Sequence, residues 1–395
     1  MSIHNNKYIC NQDMCTGCML CQTVCIHNGI DIKKNEEGFF YPSINANCIQ
    51  CGKCEKVCPA VINEEVNLKT QEIYAMRSCD ENILHSSASG GIFSTIAIRF
   101  MAEGNYICAA RWDDDYTNVY HDITNNIDEL KYYRGSKYVQ SSMQGVYKKI
   151  STLLQDTDAC ILFCGTPCQT AAVKQYLKSW NFSDRVILCD ILCFGVSSNL
   201  IFEHYRNYLI EKYNSPIKEV NFRSKKNGWC NYSIEIIFEN HETYIAGKFD
   251  DPFYRGYLKQ YFSRLSCYNC KFACLSRQSD ITLGDFWGAK EGYYNFYGVS
   301  IVSISTQKGK VLIDELTKEK KFKRAPISID MIVPYNKRFI DGRSEIPNER
   351  RKFFKELEAE GFDYIHKKYL KPEDSKIKND FIKRNLERKE KETVF

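Results

Sequence analysis

The 395-residue sequence has no stretch approaching the roughly eighteen uninterrupted apolar residues of a membrane-spanning helix, and no basic segment leading into an apolar run at its start. A membrane span is therefore excluded, and a cytoplasmic protein is expected. Excess charge is lacking too. A net charge of +5 is small for this length and gives no clustered basic face for nucleic acid. The most basic segment, 308–324, carries seven positive and three negative side chains and reads as a solvated helix face. No Ser-His-Asp set, paired carboxylates or phosphate-binding P-loop is recognisable.

Cysteine, by contrast, is abundant, at twenty residues. A chain this long has surface enough to bury, in about two or three domains, and needs no covalent staple. Cytosolic thiols stay reduced, so so many cysteines point to metal ligation or redox chemistry. Eight of them form two runs of the pattern CxxCxxCxxxC: Cys15, Cys18, Cys21 and Cys25, then Cys48, Cys51, Cys54 and Cys58. Three thiolates spaced by two residues wrap a cubane only if the backbone curls tightly, and Gly17 and Gly52 fall inside the loops. The fourth cysteine of each run crosses to the other cluster in two-cluster ferredoxins. The expected [4Fe-4S] ligand sets are thus Cys15, Cys18, Cys21 and Cys58, and Cys48, Cys51, Cys54 and Cys25. Pro59 follows the second run as it does in ferredoxins, whereas Ile26 follows the first. Zinc is the bland alternative, but it takes two CxxC pairs rather than paired triplets. Residues 1–65 are nearly neutral, with five basic and seven acidic side chains, and read as an electron-carrying module.

Beyond it the apolar pattern alternates between strands and helices. A strand at 72–78 leads to "SSASGGIFSTIAIRFMAEG", where Ser86, Ser87, Ser89, Gly90 and Gly91 open a helix that stops at Gly104. Hydroxyls, amides and a helix dipole there suit an anion, although serine-rich caps are also common. Strands at 106–111 and 118–124 follow, then "YRGSKYVQS". Its Lys137 suits a phosphate or the N1 edge of a reduced flavin, or is a plain surface lysine. Two strand-turn-helix units, at 159–168 and 186–199, bring Cys168 and Cys193 to the C-terminal ends of adjacent strands, where open α/β sheets bind ligands. "CYNCKFAC" adds Cys267, Cys270 and Cys274. Cys168, Cys193, Cys267 and Cys270 would complete a third four-cysteine cluster, or the first two are ordinary buried thiols, as Cys160, Cys164 and Cys189 are expected to be.

Several stretches together resemble the beta subunit of coenzyme F420 hydrogenase and dehydrogenase: "SSASGGIFSTIA", "GSKYVQS", "LFCGTPCQTAAVK", "DILCFGVSS", "FRSKKNGW", "CYNC", "SDITLGDFWG" and "PNERRKFFKEL". The resemblance implies an iron-sulfur flavoprotein oxidoreductase that passes electrons between clusters and a two-electron carrier, F420-like or NAD(P)H, through FAD. Position by position it implies FAD phosphates at Ser87, Ser89, Gly90 and Gly91, Lys137 by the flavin, and a cluster on Cys168, Cys193, Cys267 and Cys270. Phe194 stands where the family usually has histidine. Bacterial relatives often lie beside polysaccharide pyruvyl transferases, which adds polysaccharide biosynthesis enzymes to the implied partners, with a redox partner protein or ferredoxin.

The expected fold is α+β, a bacterial ferredoxin-like domain followed by an α/β flavin-binding domain with a mixed sheet. Expected boundaries are 1–65 for the two-cluster domain, 70–155 and 156–345 for the N- and C-terminal domains of the beta-subunit family, and 346–395 for a charged helical tail. The alternative function is a non-catalytic electron-transfer subunit docking onto a partner enzyme.

Overall fold

The computed structural model of the protein describes residues 9–62, 72–289, 292–372 and 383. The joint at 63–71 and most of the charged tail beyond residue 372 lie outside the described residues.

The N-terminal module is small. Strands β1 (Ile30–Lys34) and β2 (Phe40–Ile44) pair antiparallel, and two one-turn helices, Leu20–Thr23 and Lys53–Lys56, pack on each other. Its own apolar cluster is only Cys15, Phe39 and Tyr41, with Cys10 beside them. So short a core cannot hold a fold by burial alone. Leu20 is instead inserted into a core of the body, among Val146, Tyr147 and Phe163.

The body is built on strands β3 (Glu72–Ser78), β4 (Tyr106–Trp112), β5 (Val119–Thr124), β6 (Ile161–Gly165), β7 (Val186–Ile191), β8 (Ile217–Ser224), β9 (Ser233–Phe238), β10 (Thr243–Gly247), β11 (Ile281–Asp285), β12 (Ser300–Ile304) and β13 (Phe322–Pro326). Eight of them form one mixed sheet in the order β13-β3-β12-β11-β7-β6-β4-β5. Its centre, β4, β6, β7 and β11, is parallel, and the flanking pairs are antiparallel. The parallel strands read as continuous apolar runs because both faces are covered. Helices Ile92–Ala102 and Gln307–Lys318 cover one face. Helices Val146–Asp156 and Pro167–Leu177 cover the other. The sheet takes strands from both sides of residue 155, so the stretches 70–155 and 156–345 share one layer.

A second, three-stranded antiparallel sheet, β10-β9-β8, has its own aromatic core. Phe202, Tyr205, Phe222, Phe253, Tyr254 and Phe262 are all fully buried there. The first part of the stretch expected as a charged tail is packed on the body. Helix Arg350–Tyr369 lays Phe353, Leu357, Phe362 and Ile365 into this same core. Its charges dominate the composition, but its apolar residues recur at helical spacing and need a surface to cover.

Candidate functional site

The local sequence explains how the cysteine loops are held. In the first run Gly17 has φ 68°, and a Cβ there would stand 2.5 Å from Gln140 Nε2 and 2.9 Å from Arg264 Nη1. Only glycine permits that approach of loop to body. Gly52, at the same place in the second run, has φ 71° but open space around it. The first loop is therefore pressed on the body and the second turned outward, with Cys51 exposed.

Cys15, Cys18, Cys21 and Cys58 line one cavity, together with Cys10, Leu20, Phe40 and Pro59. Cys58 of the second run thus lines the same cavity as the first three cysteines of the first run. On the outer side Cys25 Sγ accepts from the Gly29 amide at 3.3 Å, and Gly29 lies against the backbone of Cys48. The cysteines fit cubane clusters better than zinc. Eight cysteines in two runs of three closely spaced thiols exceed the four ligands of a zinc site. Burial pushes the Cys18 thiol up to about 12. A thiolate at such a place needs the compensating charge that iron supplies.

The other cysteines emerge where the parallel strands end. After β6 the chain turns at Thr166, whose hydroxyl and amide form a reciprocal cap with Gln169, and Pro167 starts the helix that carries Cys168. Cys193 lies two residues past β7, Cys267 lies in the short helix Leu265–Tyr268, and Cys270 follows just after it. Three separate stretches thus bring these thiols within electrostatic reach of one another. Burial raises all three of Cys168, Cys193 and Cys267, the second to about 12 and the third to about 11. Cys274 stands further along the same loop, near Cys270 and Arg277. Cys164 and Cys189 are direct partners across β6 and β7, inside the sheet. Phe194 is 38% exposed and packs on Tyr257, with Arg338 over its ring at 5.6 Å.

The residues expected to meet FAD are placed differently from a free anion cradle. Ser89 Oγ donates to the Val299 carbonyl at 3.1 Å, and the Gly90 amide donates to Ser300 Oγ at 3.0 Å. Gly91, with φ 80°, opens helix Ile92–Ala102. Lys137 Nζ donates to the carbonyls of Tyr133 and Arg134 at 3.1 and 3.0 Å, closing the end of a short helix, and burial lowers it to about 7. Ser87 does line a pocket, of about 310 Å³, with His85, Ser86, Arg223, Lys225 and Tyr297. Sequence reading missed Arg223, Lys225 and the pocket itself. Arg223 forks onto both oxygens of Asp285 at 3.0 Å and lies over Tyr232 and Trp287. Lys225 Nζ donates to the carbonyls of Leu84, Ser89 and Tyr297, and burial lowers it to about 7. The quoted "FRSKKNGW" was the only signal.

These features define a two-cluster ferredoxin-like module fused to an α/β body. Residues 14–62 match the model of a 4Fe-4S dicluster domain. Residues 158–329 match that of the C terminus of the beta subunit of coenzyme F420 hydrogenase/dehydrogenase, so the chain is an iron-sulfur protein related to an oxidoreductase subunit. A solved structure of the F420-reducing [NiFe] hydrogenase complex from Methanosarcina barkeri is similar at 18% identity and a TM-score of 0.49, covering 74% of this chain and 94% of that one. No curated protein matches significantly. Among the described residues no helix is long and apolar enough to cross a membrane.

Proposed function

We propose that this chain is an electron-transfer oxidoreductase in which single electrons pass between an outer cluster on Cys48, Cys51, Cys54 and Cys25, an inner cluster on Cys15, Cys18, Cys21 and Cys58, and a third cluster on Cys168, Cys193, Cys267 and Cys270. The observation that carries the reading is the convergence of four thiols from three stretches at the strand ends. The module's inner loop is held against the body beside them: Tyr147 donates to the Cys18 carbonyl at 2.7 Å and Gln140 to that of Thr16 at 3.0 Å. A bound FAD would supply the conversion between a two-electron carrier and single-electron steps. For its phosphates the pocket at Ser86 and Ser87 offers open space, whereas the polar groups of the turn at Ser89 and Gly90 are spent on Val299 and Ser300. A carrier such as F420 or NAD(P)H and a redox protein are the partners of this reading. No feature of the site points to polysaccharide enzymes.

The spent groups at Ser89, Gly90 and Lys137 favour a second reading, a relay subunit without its own flavin. Anaerobic purification with iron, sulfide and flavin quantification separates the two. About twelve iron and one FAD per chain is the expected result, and about twelve iron without flavin selects the relay. Cys193→Ala and Cys270→Ala should each remove about a third of the iron. Unchanged iron in both variants would sink the third cluster.

A further inference from the structure

Arg264 is 0% exposed and the one charged side chain among the largest fully buried ones. Its Nε donates to the Cys15 carbonyl at 2.6 Å, its Nη1 to Gln140 Oε1 at 3.0 Å, and its Nη2 to the Phe40 carbonyl at 2.9 Å. The same Nη2 reaches Cys15 Sγ at 3.5 Å. The ring of Tyr41 lies 4.1 Å from the guanidinium carbon. None of these partners is a carboxylate. A buried guanidinium is costly unless an anion offsets it. Two groups beside Arg264 can carry negative charge: the Cys15 thiolate in direct contact, and through it the cluster on Cys15, Cys18, Cys21 and Cys58, and within electrostatic reach the Cys267 thiol of the body. On its other side the Arg264 carbonyl accepts from the Cys267 amide at 2.8 Å. Arg264 therefore stands between the module and the thiols of the body.

Reducing a cubane adds one negative charge to it. A fixed cation and a hydrogen bond to a ligand sulfur both favour the reduced form and raise its potential, the more so where water is excluded. The outer run has Lys53 and Lys56 nearby, but both are exposed and water screens them. We propose that Arg264 is a positioning residue that holds the inner cluster at a higher potential than the outer one, so that an electron on the module rests on the side facing the body. The inference builds on the two-cluster reading of the eight N-terminal cysteines.

The test is a redox titration of the anaerobically purified full chain, followed by electron paramagnetic resonance. Arg264→Met removes the charge, and Arg264→Lys keeps it without the fork. Gln140→Glu preserves size and sets a carboxylate against the guanidinium, so it reads the same charge even if Arg264→Met does not fold. In Arg264→Met and Gln140→Glu one midpoint should fall, lowering that cluster's reduced-to-oxidised ratio at fixed potential about tenfold or more, equivalent to about 59 mV for one electron. The outer cluster's midpoint should stay, and Arg264→Lys should retain most of the parent value. Midpoints that all hold still at full iron content, or that all shift together, would overturn the proposal. Fewer than about eight iron in the parent protein would remove the two-cluster reading itself, a result distinct from an unmoved midpoint.

Discussion

His121 is 3% exposed, and its partners leave it neutral. The Cys164 carbonyl, 3.1 Å from Nε2, can only accept, so Nε2 carries the proton and Nδ1 accepts from the Ser141 hydroxyl. Burial, and then the charge of Lys137, lower it from 6.5 to about 4, against the opposing pull of the Cys164 carbonyl. In the unfolded chain the ring takes a proton below 6.5, while in the fold it resists until about 4. The unfolded state thus binds more protons within that window, and stability present above it is lost as pH falls through it. At 1.36 kcal/mol per unit the full loss is about 3 kcal/mol. His121→Gln keeps a donor for the carbonyl and should flatten this acid slope, read as the denaturation midpoint of variant and parent at matched pH values from 7 downward. Equal slopes would place the acid sensitivity elsewhere.

At the scale of elements, legibility in the sequence followed how local the determinants are. The turn at Cys168 was readable because strand, Thr166 cap, Pro167 and helix lie within a few residues. Whether the Gly90 amide is free depends on Ser300, 210 residues away, and whether the loop at Cys15 meets a cation depends on Arg264, 249 residues away. Neither partner leaves a trace in the local pattern. The helix Arg350–Tyr369 does not read as a packed element in the sequence for the same reason: its aromatic partners are Tyr205 and Tyr208 of helix Asn199–Tyr213 and the distant Tyr261 and Phe262. Phe362 lies 5.5 Å from both Tyr205 and Tyr208, ring to ring. Phe362→Ala should therefore cost about 3–5 kcal/mol, the range for a buried phenylalanine, measured as a loss of unfolding free energy. A tail residue would cost less than about 0.5 kcal/mol.

Across the whole molecule, the ferredoxin module behaves as a part of the body's surface rather than a bead on a tether. Arg350 forks onto both carboxylate oxygens of Glu37 and also donates to the Ser263 carbonyl at 2.9 Å. Lys271 donates to the carbonyls of Ala60 and Ile62. These contacts, with Arg264, Gln140 and Tyr147, fix which side of the module faces inward, and the paired glycines provide a direct test. Gly17→Ala and Gly52→Ala both force alanine into the left-handed region, at about 1–2 kcal/mol each. Only Gly17→Ala also drives a methyl into Gln140 and Arg264. If docking is set by this approach, Gly17→Ala should raise amide hydrogen exchange at 138–147 and 260–268, whereas Gly52→Ala should leave both segments at the parent level. Equal protection in the two variants would mean that the inner loop is held by its cluster alone. In that case the contacts of Arg264 would follow from cluster assembly rather than guide it, and the body would be a passive acceptor of the module.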